Sequence, residues 1–427
     1  MRTKSEQIMN KNLKWLYLDF NSYFDTIEQQ INPPLRNRPI AIVPSITDYT
    51  CAIAASYEAK KKGIKTGTMI AEAKKLCPDI ICIQANHEKY IAYHYKLINE
   101  INKHIPIEHV CSIDEVACKL IGKECKPKNA VSLAINIKSG IKKNVGDYIS
   151  CSIGISTNKF LAKTASNLKK PNGLKILFRD ALPHKIKKLK LSDLTGIGKR
   201  MERRLILANV QTINDLYKLS PKNMRTIWGS VQGERFWNML RGNDIEEITT
   251  KTSTIGHSHV LHPNWRKPDL AKHILNRLVL KAASRLRRKR YFCKKIKIYI
   301  KIKSGYSIEG KKKFNKINDS ITLLEQSDLT WKEILISNKI KRIKQISVVL
   351  YDLEPLESAQ TNFFQYLNNN FENTIKKRKS LSDTIDMINS KFGRDSITIG
   401  SLPKNISDFS GTKVAFTRIP DIKEFYE

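Results

Sequence analysis

Apolar and polar positions change period along this chain, and the changes mark out its parts. Leu13-Lys-Trp-Leu-Tyr-Leu-Asp19 is an apolar run of strand length ending on a carboxylate, which puts Asp19 at the mouth of a sheet. A helical pattern follows from Ser22 to Ile31 and stops at Pro33-Pro34. A short Ile/Val strand is predicted at 40–43, and residues 51–62 and 69–76 read as helices with Gly63 and Gly67 in the turn between them. Helical spacing returns over 88–104, strands are expected within 110–121 and around one helix within 131–155, and a helix over 158–168 ends at Lys170-Pro-Asn-Gly173. Strands and helices therefore alternate to about residue 180, and two separated strands each deliver acid groups. From 184 short basic helices with glycine turns take over, among them Leu194-Thr-Gly-Ile-Gly-Lys199. Residues 251–354 then read strand, long helix (268–290), two strands, helix (328–337), strand. The long helix carries Ala271, Ile274, Leu275, Leu278, Ala282 and Leu286 on one face and turns Lys281, Arg285, Arg287, Arg288 and Lys289 to others. Beyond 355 the chain becomes polar and Asn-rich, which reads as a linker or tail, with a structured end near 397–425.

Length allows two to four domains, because 427 residues exceed what one core usually serves. Charge narrows the partners. Lys and Arg number 76 against 40 Asp and Glu, a net +36, more than solubility asks for and suited to a polyphosphate ligand. A coding sequence rich in A and T would also raise Lys, Asn and Ile, so charge alone does not decide. Residues 251–354 hold 25 Lys and Arg against 8 acids, so the excess is concentrated in one α+β stretch. The eight cysteines form no Cys-x-x-Cys pair and most sit in apolar runs, as buried free thiols do. No apolar run reaches membrane-span length and the N-terminus lacks a signal-peptide core, so the expected setting is the cytoplasm, beside nucleic acid and away from membrane.

The chemistry is sought in Asp19 and in Ser112-Ile-Asp114-Glu115-Val. Nucleotidyl transfer with two divalent ions needs about three hard oxygen ligands converging within a few Å, and acids from two strands can supply them. Consecutive strand residues point to opposite faces, so Asp114 and Glu115 share a site only if the strand turns or twists there. An exposed Asp-Glu pair is the plainer account of the dipeptide alone, and context must decide.

That context is a series: Tyr17-Leu-Asp19-Phe-Asn-Ser-Tyr-Phe24, Ser56-Tyr57-Glu-Ala-Lys60-Lys-Lys-Gly63, Cys111-Ser-Ile-Asp114-Glu115, Cys151-Ser-Ile-Gly154-Ile-Ser-Thr-Asn158-Lys159-Phe-Leu-Ala-Lys163, Lys170-Pro-Asn-Gly173 and Leu194-Thr-Gly-Ile-Gly198. In this order and at these separations, over roughly residues 13–350, it resembles the Y-family (UmuC/DinB-type) translesion DNA polymerases. The resemblance implies an α+β right-hand polymerase: palm 1–20 and 86–180, fingers 21–85, a helix-hairpin-helix thumb 181–250, a basic little finger 251–354, and a tail 355–427. It also implies low-fidelity insertion of dNTPs opposite damaged template bases, without proofreading, as part of a damage (SOS) response.

Roles follow residue by residue from the same resemblance. Asp19 and Asp114 would bridge two Mg²⁺ ions, with Mn²⁺ as the substitute, Glu115 would ligate the catalytic one, and the backbone carbonyl of Phe20 would complete the other. Phe24 falls at the steric gate, under the sugar; spacing alone would make it a core aromatic. Tyr57 and Lys60, one helical turn apart, and Lys170 would contact the dNTP triphosphate. Lys60 stands where the family usually has Arg and so lacks the bidentate fork. Asn21 replaces an acid common in the family, and Thr50 and Cys51 would form a small lid over the nascent pair. Gly196, Gly198 and Lys199 in the thumb, and Arg287, Arg288, Lys295 and Lys297 in the basic domain, would meet primer-template DNA. Gln360, Phe363 and Phe364 resemble a sliding-clamp peptide. His257, His259 and His262 could suggest zinc, but alternation along a strand is the simpler account. Two rivals remain: a catalytically silent DNA- and clamp-binding adaptor of the same family, and a nucleotidyl cyclase, which needs no duplex track.

Overall fold

The computed structural model describes residues 13–246, 248, 251–302, 305–358, 369–393 and 396–400. They fall into two compact units that divide at Ile248. The first opens with β1 (Trp15–Phe20), every residue of which is buried, and α1 (Tyr23–Ile31). Between them Ser22 takes a left-handed φ of 44°, a bend most residues avoid by about 1 kcal/mol. β2 (Ile40–Val43), β3 (Ala54–Ala55), α2 (Tyr57–Lys61), α3 (Ile70–Leu76) and β4 (Ile81–Gln84) form a small subdomain around the sheet β3-β2-β4.

Here the helix expected over 51–62 is corrected. Ala54 and Ala55 pair antiparallel with β2, Cys51 bridges to Met69, and the helix begins only at Tyr57, where the Ser56 hydroxyl accepts from the N–H of Ala59. Pairing to a sheet edge and a good N-cap outweigh local helical spacing.

α4 (His87–Asn102), β5 (Ile107–Ser112), β6 (Glu115–Lys119), α5 (Pro127–Asn144), β7 (Cys151–Ser156), α6 (Lys159–Asn167) and β8 (Leu174–Leu177) complete the larger sheet, ordered β5-β6-β1-β7-β8. β1 is central and antiparallel to both neighbours. α6 lies close on β7 because Gly154 has no side chain: a Cβ there would overlap the backbone of Ala162 and Ser166. Helices α7 (Lys199–Leu207), α8 (Ile213–Lys218), α9 (Pro221–Trp228) and α10 (Gln232–Leu240) share a core of Leu194, Ile197, Leu205, Ile213, Met224 and Phe236.

The second unit contains β9 (Thr254–Val260), α11 (Pro268–Arg288), β10 (Tyr291–Ile302), β11 (Ser307–Ile317), α12 (Ser320–Ser337), β12 (Ile343–Pro355) and α13 (Asn369–Phe392). Its antiparallel sheet runs β11-β10-β12-β9, and Ile296, Ile298 and Ile300 pack in one core with Leu275, Val279 and Leu286 of α11. Strand alternation turns Lys295 and Lys297 to the other face. α12 starts at Ser320 rather than 328, capped by Asp319, whose side chain accepts from the N–H of Thr322 at 2.8 Å.

The expected linker after 355 is likewise corrected over 369–392, which is helical and docked. The Ser382 hydroxyl is buried and accepts from the N–H of Ser320 at 3.0 Å, and Arg378 donates to Glu325 at 2.8 Å. Arg287, expected on DNA, is the anchor of this contact. Its side chain is only 7% exposed and donates to Asp386 through two nitrogens at 2.7 and 2.9 Å and to the carbonyl of Asn318 at 2.8 Å. A planar fork suits two carboxylate oxygens, so the guanidinium is committed inside the unit. Arg287→Ala is expected to lower unfolding stability by about 2 kcal/mol or more, since it strands Asp386 and a buried carbonyl. Denaturant melts of the variant check this.

Candidate active site

Three short stretches of backbone bring the acids together. Asp19 sits directly opposite Glu115 across β1 and β6. Ser112 pairs with Glu115 in the β5–β6 ladder, leaving Ile113 and Asp114 as a two-residue turn. The strand therefore turns where the two acids required it to. The N–H of Phe20 donates to the Asp114 carbonyl at 2.9 Å, tying the turn to the end of β1.

As placed, each carboxylate has its own partner. Lys170 holds Asp19 at 2.6 Å. Lys163 donates to both oxygens of Glu115 at 2.7 and 2.6 Å, and the Tyr17 hydroxyl donates to Glu115 at 2.8 Å. The Ser112 hydroxyl donates to Asp114 at 2.5 Å. Accordingly no trio of acid, His or Cys side chains among the described residues already converges on one point, and side-chain rotation is needed to bring these three onto common ions. The donor set still fits divalent cations: hard oxygens, Asp19 buried and Asp114 and Glu115 partly exposed, with lysines balancing the charge. Burial raises the carboxyl pKa of both Asp19 and Asp114; Lys170 opposes it at the first and Ser112 at the second. Burial and Glu115 push the Tyr17 phenol far up, so it stays a donor.

The bend at Ser22 carries the chain from Asp19 to Phe24. Phe24 is buried and stacks on Tyr90 at 4.5 Å, and the Tyr90 hydroxyl donates to Glu28 at 2.8 Å. Lys60 lies over the Tyr57 ring at 4.7 Å and donates to the Ser22 hydroxyl at 2.6 Å. Burial pushes the Lys60 pKa down and the Tyr57 pKa up. The turn bearing Lys170 is held from two sides. Lys138 donates to the carbonyls of Asn172 and Gly173 at 2.7 and 3.1 Å, and the Asn172 N–H donates to the Asn21 side chain at 2.8 Å. Asn21, itself buried, also donates to Ser152 at 3.0 Å, so it braces the turn where an acid would stand.

Asp25, one residue past Phe24, is fully buried, and neither oxygen finds a side-chain donor among the described residues. Burial raises its pKa well above normal; the Lys60 charge and its own N–H oppose this. A raised carboxyl contributes stability that is complete below about pH 4, its unfolded value, and lost as pH climbs through the folded value. Asp25→Asn is therefore expected to match the native chain in acid and to exceed its stability by about 1–3 kcal/mol at neutral pH. Thermal melts across pH check the sign.

Family comparison decides what this site belongs to. Residues 18–167 match the model described as impB/mucB/samB family, 192–244 that of the DNA polymerase-iota thumb domain, and 252–363 that of the impB/mucB/samB family C-terminal domain. DNA polymerase IV of Moorella thermoacetica is 31% identical over 292 residues, 67% of this chain and 72% of the relative. The chain belongs to the Y family of DinB-type DNA polymerases.

This Y-family polymerase is a DNA-directed DNA polymerase with the α+β right-hand fold. DNA polymerase IV of Oceanobacillus iheyensis is 28% identical over 402 residues, 91% of this chain and 92% of the relative. Among solved structures, a Y-family DNA polymerase chimera of Dbh and Dpo4 superposes with a TM-score of 0.68 at 22% identity, covering 80% of this chain and 99% of its own. In the polymerase's thumb, Leu194 and Ile197 are buried, leaving Gly196, Gly198 and Lys199 exposed at the start of α7. Gly196 has φ of +92°, a conformation that glycine adopts without strain. On the basic sheet, Lys295 pairs with Asp352 at 2.9 Å, Lys297 lies over Tyr299 and Tyr351, and Arg288 is exposed at the end of α11. Gln360, Phe363 and Phe364 lie outside the described residues. Sequence spacing gave no role to Lys163, Ser112 or Tyr17; only folding brings them onto Glu115 and Asp114.

Proposed function

We propose that this polymerase adds deoxynucleotides to a primer opposite damaged template bases and does not proofread. The observation that carries the reading is the acid turn: Asp19 faces Glu115 across one ladder, Asp114 stands at the adjoining turn, and lysines 60, 163 and 170 surround them. Asp19, Asp114, Glu115 and the Phe20 carbonyl would hold two Mg²⁺ ions, or Mn²⁺ in their place, which when bound lower the pKa of an attacking 3′-hydroxyl and neutralise a leaving pyrophosphate. Lys170 and Lys60 release their present partners to meet the triphosphate, and Tyr57 supplies a hydroxyl donor beside them. Lys163 and Tyr17 hold Glu115 in place. Phe24, backed by Tyr90, presents a flat ring that leaves no room for a 2′-hydroxyl.

DNA is the second substrate. The backbone N–H groups at Gly196 to Lys199 and the face bearing Lys295 and Lys297 suit phosphates, and Arg288 extends that charge. Clamp binding through Gln360 to Phe364 rests on sequence alone. No helix among the described residues is long and apolar enough to cross a membrane. Primer extension across an abasic template site tests the reading. Insertion that leaves a 3′ mismatch unexcised supports it; DNA binding without insertion would make the chain an adaptor.

A further inference from the structure

α4 packs behind the turn that carries Asp114, and one buried histidine on it reaches that turn. His94 is 3% exposed, and its Nδ1 stands 2.8 Å from the carbonyl oxygen of Ile113. A carbonyl only accepts, so Nδ1 carries the proton and the imidazole donates. Burial lowers the ring's pKa, which favours this neutral donor form. On the far side of Asp114, its own carbonyl accepts from Phe20. These two bonds hold the two peptide planes that flank Asp114. Peptide planes are rigid, so the pair fixes the backbone angles of that residue.

The turn needs such support. Two-residue hairpin turns that match strand twist place their first central residue at positive φ, but neither Ile113 nor Asp114 adopts one. Both also lie outside the β5–β6 ladder, which is irregular between Val110 and Ser112. Strand pairing alone therefore does not aim Asp114.

We propose that His94 is a positioning residue that aims Asp114 through the Ile113 carbonyl and thereby sets the affinity of the site for divalent cations. The proposal rests on Asp114 being an ion ligand. It gives α4 a function in both halves of the site: Tyr90 backs the Phe24 ring, and His94, one turn along, holds the acid turn.

The test is Mn²⁺ binding by the full chain, read by calorimetry with no nucleotide or DNA present, together with backbone hydrogen exchange at residues 113–115. His94→Leu should weaken Mn²⁺ binding about 10-fold or more, in the range found for groups that orient metal ligands, and speed that exchange. His94→Asn, whose amide N–H reaches the place of Nδ1, should restore most of the affinity; His94→Gln, whose amide reaches toward Nε2, should not. If His94→Leu does not fold, the Asn and Gln variants carry the comparison. Native affinity in His94→Leu, or equal weakness in the Asn and Gln variants, overturns the proposal. Asp114→Ala is measured alongside: unchanged Mn²⁺ binding there refutes the ligand assignment itself, a failure separate from that of His94.

Discussion

Replacing Asp114 and Glu115 together with alanine is expected to cut primer extension by roughly a thousandfold or more, while DNA binding stays within a few-fold of the native chain. Ion-assisted charge stabilisation contributes several kcal/mol to a transition state, and each 1.36 kcal/mol is tenfold in rate. Asp114 stands in a two-residue turn and Glu115 beside it, and both are partly exposed, so the fold should tolerate their loss. Single-turnover extension with saturating dNTP, paired with a DNA titration, measures the two effects apart. Extension near the native rate would remove these acids from the chemistry.

The second large effect concerns the sugar. Phe24→Leu is expected to lower discrimination between dNTP and rNTP by about 100-fold, the scale that separates substrates differing by one small group against a shaped wall. Phe24→Ala should do as much but also costs about 3–5 kcal/mol of stability, because it empties the space against Tyr90. The ratio of kcat/KM for the two nucleotides, taken with a thermal melt, distinguishes a lost wall from a loosened core. An unchanged ratio in Phe24→Leu would return the ring to the core role that its spacing alone suggests.

Much of the catalytic region was legible because its signals are local. The apolar run ending at Asp19 gives β1, and the demand that Asp114 and Glu115 share a site requires the turn found between Ser112 and Glu115. Other features depend on contacts between distant residues. Residues 54–55 became a strand because the edge of β2 was there to pair with. Residues 369–392 looked like a tail because their polar composition hides Ser382, Arg378 and Asp386, which matter only against Ser320, Glu325 and Arg287. Arg287 was misplaced for the same reason: helical spacing says that it leaves the apolar face, not that a carboxylate waits there. Lys163 and Tyr17 meet Glu115 across 48 and 98 residues of chain and His94 meets the Ile113 carbonyl across 19, and no spacing rule reaches that far.

The central claim is that Asp19, Asp114 and Glu115 hold two divalent ions around a nucleotide triphosphate. Anomalous diffraction from crystals grown with primer-template DNA, Mn²⁺ and a dNTP analogue that cannot be cleaved measures this directly. The account predicts two Mn²⁺ peaks, both touching Asp19 and Asp114, with Glu115 on one of them and Lys170 moved from Asp19 to the triphosphate. Manganese bound elsewhere, or Lys170 still paired with Asp19 beside a seated nucleotide, would contradict it.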